Sequence, residues 1–301
     1  NPYDCTMKTR RLINCLALAT LFLMAMEGKA INTQIQTDGS LSGIEGVDIH
    51  AVGSGQLYTL SELNGKLAGN NLYYSFSQFS IGSGDTAWFN LTTPGLEHII
   101  SRVTGGNESL IDGQLKLTNE GSQPSFYLIN PAGITFGPGA SVDVPGSFYV
   151  GTASNLQFND GTQIPINSAP ISNLTAATPE AFGFLGNETG SLNFAGTESD
   201  KTELGFKPGA QVAFVANQIN IDQVTLFNVN QAQAGLDLQL IATGDATTAI
   251  NWAALPSQAT GGQLMLDNSI LSASGSGSGR VTVRAGDFVA SNSGAFVANQ
   301  G

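Results

Sequence analysis

From Ile31 to Gly301 the apolar residues fall into short runs, and no stretch keeps a 3.6-residue stripe. Runs at 56–60, 86–90, 114–118, 125–129, 134–136, 142–144 and 148–150 have strand length, and the breaks between them are rich in Gly, Pro, Asn and Asp. The pattern resumes after Gly205 with alternating runs at 211–216, 218–222, 224–228 and 236–242, and continues at 263–267, 269–273, 281–285, 288–291 and 296–298. It repeats loosely, about twenty residues per group of three short strands, as a stack of coils would. The predicted fold is all-β: a right-handed parallel β-helix, a solenoid with extra-helical hairpins or loops and an N-terminal cap. A β-sandwich is the rival, since its strands are also short and separated by turns. Leu128, Ile134, Phe136, Val142, Val144, Phe148 and Val150 are expected to point into the solenoid column.

Residues 159–196, with Pro165, Pro170 and Pro179, are the least regular stretch and read as loops or a side hairpin. Within 178–185, Pro179-Glu180-Ala181-Phe182 suits one turn of helix. Four parts follow: 1–30, 31–158, 159–204 as an irregular excursion of the same β-helix, and 205–301 as continuing coils. Because the chain stops in mid-pattern at Ala298-Asn299-Gln300-Gly301, the natural protein is expected to continue.

Asn130-Pro131-Ala132-Gly133 lies between two of these runs and suits a type I turn. Asn bonds back to the chain, Pro presets φ at the second position, and Gly tolerates the exit. Together with the Ile134-Thr135-Phe136-Gly137 run and the Gly146 to Val150 strand that follow, it resembles the haemagglutination-activity (filamentous-haemagglutinin N-terminal) domain of two-partner secretion exoproteins. Further matches lie in order upstream: Ile35-Gln36-Thr37-Asp38-Gly39-Ser40-Leu41, residues 71–79, Ala87-Trp88-Phe89-Asn90, Ile99-Ile100-Ser101-Arg102-Val103-Thr104-Gly105-Gly106 and Ile111-Asp112-Gly113. The resemblance assigns 31–158 to that domain and places its cap near 31–51. It implies the secretion domain of a large exported adhesin, which nucleates β-helix folding outside the cell. The partner implied is an outer-membrane transporter with POTRA domains; host or neighbouring-cell glycans or surface proteins are further implied partners. The site residues carried over are Asn130, Pro131, Ala132 and Gly133. Ala132 departs from the Asn usual in the family and removes one side-chain amide.

Composition narrows the alternatives. Lys and Arg number 11 against 23 Asp and Glu, a net charge of −12, which excludes a general nucleic-acid binder. Charged residues are scarce at 11% and Gly is abundant at 37, which fits an all-β chain with many tight turns. Met7-Lys8-Thr9-Arg10-Arg11, the apolar run 16–26 and Gly28-Lys29-Ala30 read as a cleaved secretory leader, with 1–6 as upstream read-through. Both cysteines, Cys5 and Cys15, fall in that leader region, so disulfides and a thiol nucleophile are not expected in the exported chain.

No catalytic, cofactor or metal site is expected. His50 and His98 stand far apart, and no metal-ligand spacing, nucleophile elbow or phosphate-binding lysine loop occurs. Gly275-Ser276-Gly277-Ser278-Gly279 reads as a bend between coils. Asp38, Asp48, Asp85, Asp112, Asp143 and Asp160 sit mostly beside Gly or in turns, where Asp bonds the backbone. Tyr73, Tyr74, Phe76, Phe79, Trp88 and Phe89 read as a core face in preference to a sugar-stacking platform. A β-helix polysaccharide lyase or glycoside hydrolase is the alternative function. It would need two facing carboxylates, or Lys and Arg to handle a uronate, and only seven basic residues lie beyond the leader.

Overall fold

The computed structural model describes residues 32–52, 56–167, 169–255, 261–277 and 279–297. The expected leader and its two cysteines lie outside the described residues. Within them the chain winds through three parallel faces in turn. The first face stacks Asn71–Ser80, His98–Val103, Ser125–Ile129, Phe148–Gly151, Gln211–Ala216, Asp237–Ala242 and Arg280–Arg284. The second stacks Ser109–Ile111, Ile134–Phe136, Ser191–Ala195, Gln218–Asp222, Gln263–Asp267 and Asp287–Ser291. The third has two blocks, Leu57–Leu60 to Ser141–Asp143 and Thr202–Phe206 to Gly294–Phe296. This is the β-helix solenoid the turn-separated runs predict, and not a sandwich.

Register explains the stacking. Asn71 lies beside His98 and His98 beside Ser125, so an early coil takes 27 residues, somewhat more than the loose period suggests. Leu72, Ile99, Phe126, Phe148, Val212 and Leu238 thereby form one continuous inward row. Each is essentially inaccessible to solvent. Of the seven expected column residues, all but Val142 are fully buried, and Val142 packs against the same cluster half-buried. Tyr74, Phe76, Phe79 and Phe89 belong to that core as expected. Trp88 instead lies on the outer surface of the third face, its indole N–H donating to Thr118 Oγ1 at 2.8 Å.

An open solenoid end exposes unpaired strand edges that invite aggregation. Here Gln34–Thr37 runs antiparallel to the distal half of Asn71–Ser80, and Lys66–Ala68 runs antiparallel to its proximal half. The leading edge of the first face is therefore covered along its length: Gln34–Thr37 lies within the cap the resemblance places near 31–51, and Lys66–Ala68 extends the cover beyond it.

Two further sequence expectations fail. Pro179-Glu180-Ala181-Phe182 is not a helical turn but part of the strand Pro179–Leu185. Phe182 and Phe184, two positions apart, both turn toward the coils, and the strand gains an antiparallel neighbour on each side. Secondly, the irregular stretch 159–196 is too broad. Ser191–Ala195 is a regular coil strand, paired in parallel with Ile134–Phe136 and Gln218–Asp222. Its Leu192 and Phe194 alternate into the column with the period of two that any half-buried strand needs.

What leaves the column is a four-stranded antiparallel sheet. It is assembled from Asn155–Phe158, Gln163–Pro165, Pro179–Leu185 and, from a second and distant excursion, Thr247–Asn251. It lies over the outer side of the first face and buries Tyr73, Ile100, Tyr127, Tyr149, Ala213, Val215 and Ile241. The first-face strands Ser125–Ile129, Phe148–Gly151, Gln211–Ala216 and Asp237–Ala242 are consequently buried on both sides, whereas Gln218–Asp222 and Val224–Asn228 alternate cleanly.

Candidate functional site

The sequence-predicted site is the corner joining Ser125–Ile129 to Ile134–Phe136. Gly133 N donates to Asn130 O at 3.0 Å, closing the expected four-residue turn. Asn130 Oδ1 accepts Ala132 N at 3.0 Å, the local Asn bond that favours such turns. The amide nitrogen reaches back to the preceding coil, donating to Asn107 O at 2.9 Å and Ser109 Oγ at 3.0 Å. Asn130 is 0% exposed, so both ends of its amide are spent inside the protein. Pro131 and Ala132 are the partly exposed members of the turn. Gly133 has φ +116, a backbone that disfavours any side chain. The next coil stacks tightly on this corner: a Cβ on Gly190 would lie 2.3 Å from Pro131 O.

A second polar centre was not singled out as a site from sequence. Arg102, in the strand His98–Val103, is 2% exposed. Its Nε donates to Ser75 Oγ at 2.7 Å, and Nη2 donates to Ser40 Oγ at 2.6 Å and Ala169 O at 3.2 Å. Nη1 donates to Pro165 O at 2.7 Å. Both serine hydroxyls in turn donate to Asp38, at 2.6 and 2.7 Å, and Thr104 Oγ1 donates to the same carboxylate at 2.7 Å. The two charges thus communicate through hydroxyls. Burial pulls the guanidinium down to about 10, against the opposing pull of Asp38, so it remains charged at neutral pH. The available signal was a lone arginine inside the apolar strand I-I-S-R-V.

Two carboxylates, the half-buried Asp38 and the buried Glu188, set the acid response. Burial alone would raise Asp38, but donors from Ser40, Thr104 and Ser75 outweigh it and hold the group below its ordinary value. Glu188 behaves alike: burial raises it, while the Ser154 hydroxyl and the backbone N–H groups of Leu185 and Gly186 prevail. Glu62 and Asp160 are also depressed, and among the described carboxyls only Asp222 is raised, by burial and then by Asp267. A depressed carboxyl contributes stability that is complete above its unfolded value and lost as pH falls through the folded one; a raised carboxyl does the reverse. With Asp38 and Glu188 depressed against Asp222 raised, and the exposed Asp160 screened by solvent, the urea midpoint is expected to hold from neutrality and fall below about pH 4. Glu188→Gln is expected to make that acid limb shallower. Equal midpoints at pH 6 and pH 3 would contradict the assignment.

The aspartates singled out from sequence are mostly structural in place. Asp112 Oδ1 accepts Gly139 N at 2.8 Å, Asp160 Oδ1 accepts Thr162 N at 2.9 Å, and Asp143 pairs with Lys207 at 3.0 Å across the break in the third face. Among the described residues no three His, Cys, Asp or Glu side chains gather as metal ligands would.

A family model described as the TPS secretion domain matches residues 34–301, which takes in nearly all of the described solenoid with its cap and both excursions. Comparison with curated proteins finds no match.

Proposed function

This chain belongs to the TPS secretion domain family, and from that premise we propose that it is read in the periplasm by the POTRA domains of a dedicated outer-membrane transporter and templates β-helix folding once outside. It is the secretion domain of a two-partner secretion exoprotein, exported across the outer membrane with an outer-membrane transporter as its partner. The family is one of secretion and transporter recognition, not of catalysis. We take the domain to be non-enzymatic, and nothing favours the lyase or hydrolase alternative. Adhesion to host or neighbouring-cell glycans or surface proteins belongs to the same proposal.

Templating has a simple physical basis. In a solenoid each coil contacts only its neighbours, so every emerging coil adds to an existing edge and its folding free energy biases movement outward.

The observation that carries the recognition reading is the complete burial of Asn130 with its amide engaged at both ends. Such a side chain cannot face a transporter, so Asn130-Pro131-Ala132-Gly133 acts by fixing the shape of the corner. The same geometry makes the Ala132 departure tolerable, because this position contributes a backbone N–H to Asn130 and its side chain is not needed for that bond. Asn130→Ala strands Asn107 O and Ser109 Oγ, and is expected to cost about 1–3 kcal/mol. Stability of the purified domain and export through the cognate transporter should therefore fall together. Lost export at unchanged stability would mean direct recognition and overturn this reading. Loss of neither would remove the turn from the mechanism.

A further inference from the structure

Arg102 is where three distant parts of the chain meet. Ser40 comes from the cap, Ser75 from the first coil, and Pro165 and Ala169 supply carbonyls from the first excursion. The excursion is strapped to the same neighbourhood by further donors of the first coil. Asn71 Nδ2 donates to Thr175 O at 3.0 Å and Ala177 O at 2.7 Å, and the Tyr73 hydroxyl donates to Thr175 O at 2.7 Å. Cap and excursion also touch directly: Ile171 N donates to Ser40 O at 2.9 Å, and Leu41 bridges Ile171, both buried.

We propose that Arg102 is a completion lock: the N-terminal cap closes over the first coil only when the excursion carbonyls of Pro165 and Ala169 have docked on it.

The physical reason is the cost of burying a charge without its full set of acceptors. Before the excursion arrives, a closed cap would offer the guanidinium only Ser40 and Ser75, with the Asp38 carboxylate behind their hydroxyls, so it keeps its water. A hydrated cation there holds residues 38–41 off the outer side of the first face. Stacking of the coils is not impeded, because their column lies on the opposite side of the same strands; the cap's Ile35 and Ile49 join that column when the cap closes. The cap and the outer layer therefore wait and close together. The consequence for export rests on the secretion reading above: a chain emerging from its N-terminus can stack its first coils while their outer face stays open until the excursion has cleared the transporter. The domain's beginning would then finish folding after its middle.

The test is pulsed hydrogen exchange during refolding of the denatured full chain. The cap reporters are Thr37 N, bonded to Val47 O, and Ile49 N, bonded to Ile35 O; the excursion reporter is Ile166 N, bonded to Ser154 O. All three are expected to gain protection in one kinetic phase, and Arg102→Met is expected to separate the cap from the excursion. Should Arg102→Met fail to fold, Ser40→Ala removes one acceptor and keeps the backbone bridge to Ile171. It is expected to speed native-state exchange at Ile166 about tenfold, although Ile166 is remote in sequence. Cap amides protected in an earlier phase than Ile166 would overturn the lock. So would Ser40→Ala loosening Thr37 while Ile166 exchanges as in the parent. No transporter takes part in either measurement, so a failed lock and a failed export reading give different results.

Discussion

Phe214→Ala is expected to be among the most damaging single substitutions in the column, costing about 3–5 kcal/mol for the cavity left by a buried ring. Phe214 sits in Gln211–Ala216 with no solvent exposure, and four other rings converge on it. Phe194 stands edge-on at 4.8 Å, and Phe148, Phe206 and Phe136 lie at 6.2, 6.2 and 6.5 Å. Such pairs add about 0.5–1.5 kcal/mol each beyond the area they bury. Phe136 and Phe148 are column residues expected from the motif region, and the ring that joins them arrives from the far side of the excursion. Because solenoid coils couple only to their neighbours, the loss should concentrate in the strands around Phe214. Chemical denaturation of the variant, followed by circular dichroism, reads the total; hydrogen exchange reads its distribution. A shift below about 1 kcal/mol would mean that the cluster closes over the gap, against the usual behaviour of tightly packed cores.

Trp252→Ala is expected to be comparably costly, about 3–5 kcal/mol, but in a different place. Trp252 follows Thr247–Asn251 and packs against Phe182 at 5.2 Å, Tyr149 at 4.8 Å and Tyr127 at 5.9 Å. Its carbonyl accepts Gln211 Nε2 at 3.0 Å and Gln239 Nε2 at 2.9 Å. The ring therefore clamps the extra-helical sheet onto the first face and contributes nothing to the column. Removing it should lower protection in Asn155–Phe158 and Pro179–Leu185 while leaving Ser125–Ile129 protected, a sub-global opening. The chain has two tryptophans, so Trp88 on the third face then reports the coils alone by fluorescence. If the column and the outer sheet still unfolded in one transition with an unchanged midpoint, the clamp assignment would be wrong.

Much of this architecture was legible in the sequence. The short runs, the Pro and Gly corners, the alternation in Gln218–Asp222 and Val224–Asn228, and the turn at Asn130 to Gly133 all reappear in place. They are readable because a solenoid repeats one local problem. Each strand needs an inward face every second residue, each corner needs a turn residue, and each coil meets the next at a nearly constant offset. Gln211–Ala216 and Asp237–Ala242, expected to alternate, are instead buried on both sides, because the outer sheet covers the first face.

The cover was decided by tertiary structure alone. Phe182 pairs with Ile250 across a segment that contains two further coil strands of the first face, an offset unrelated to the coil period. The same pairing turned Pro179 to Phe182 into strand, against a local preference for a helical turn. Arg102 likewise looks like a misplaced charge until Ser40, Pro165 and Ala169, between 62 and 67 residues away, are brought around it. By itself, then, the sequence determined the solenoid, its corners and its family. Only the fold could decide the outer sheet and the buried arginine, because each is stabilised by contacts that repeat nowhere else among the described residues and so leave no period to read.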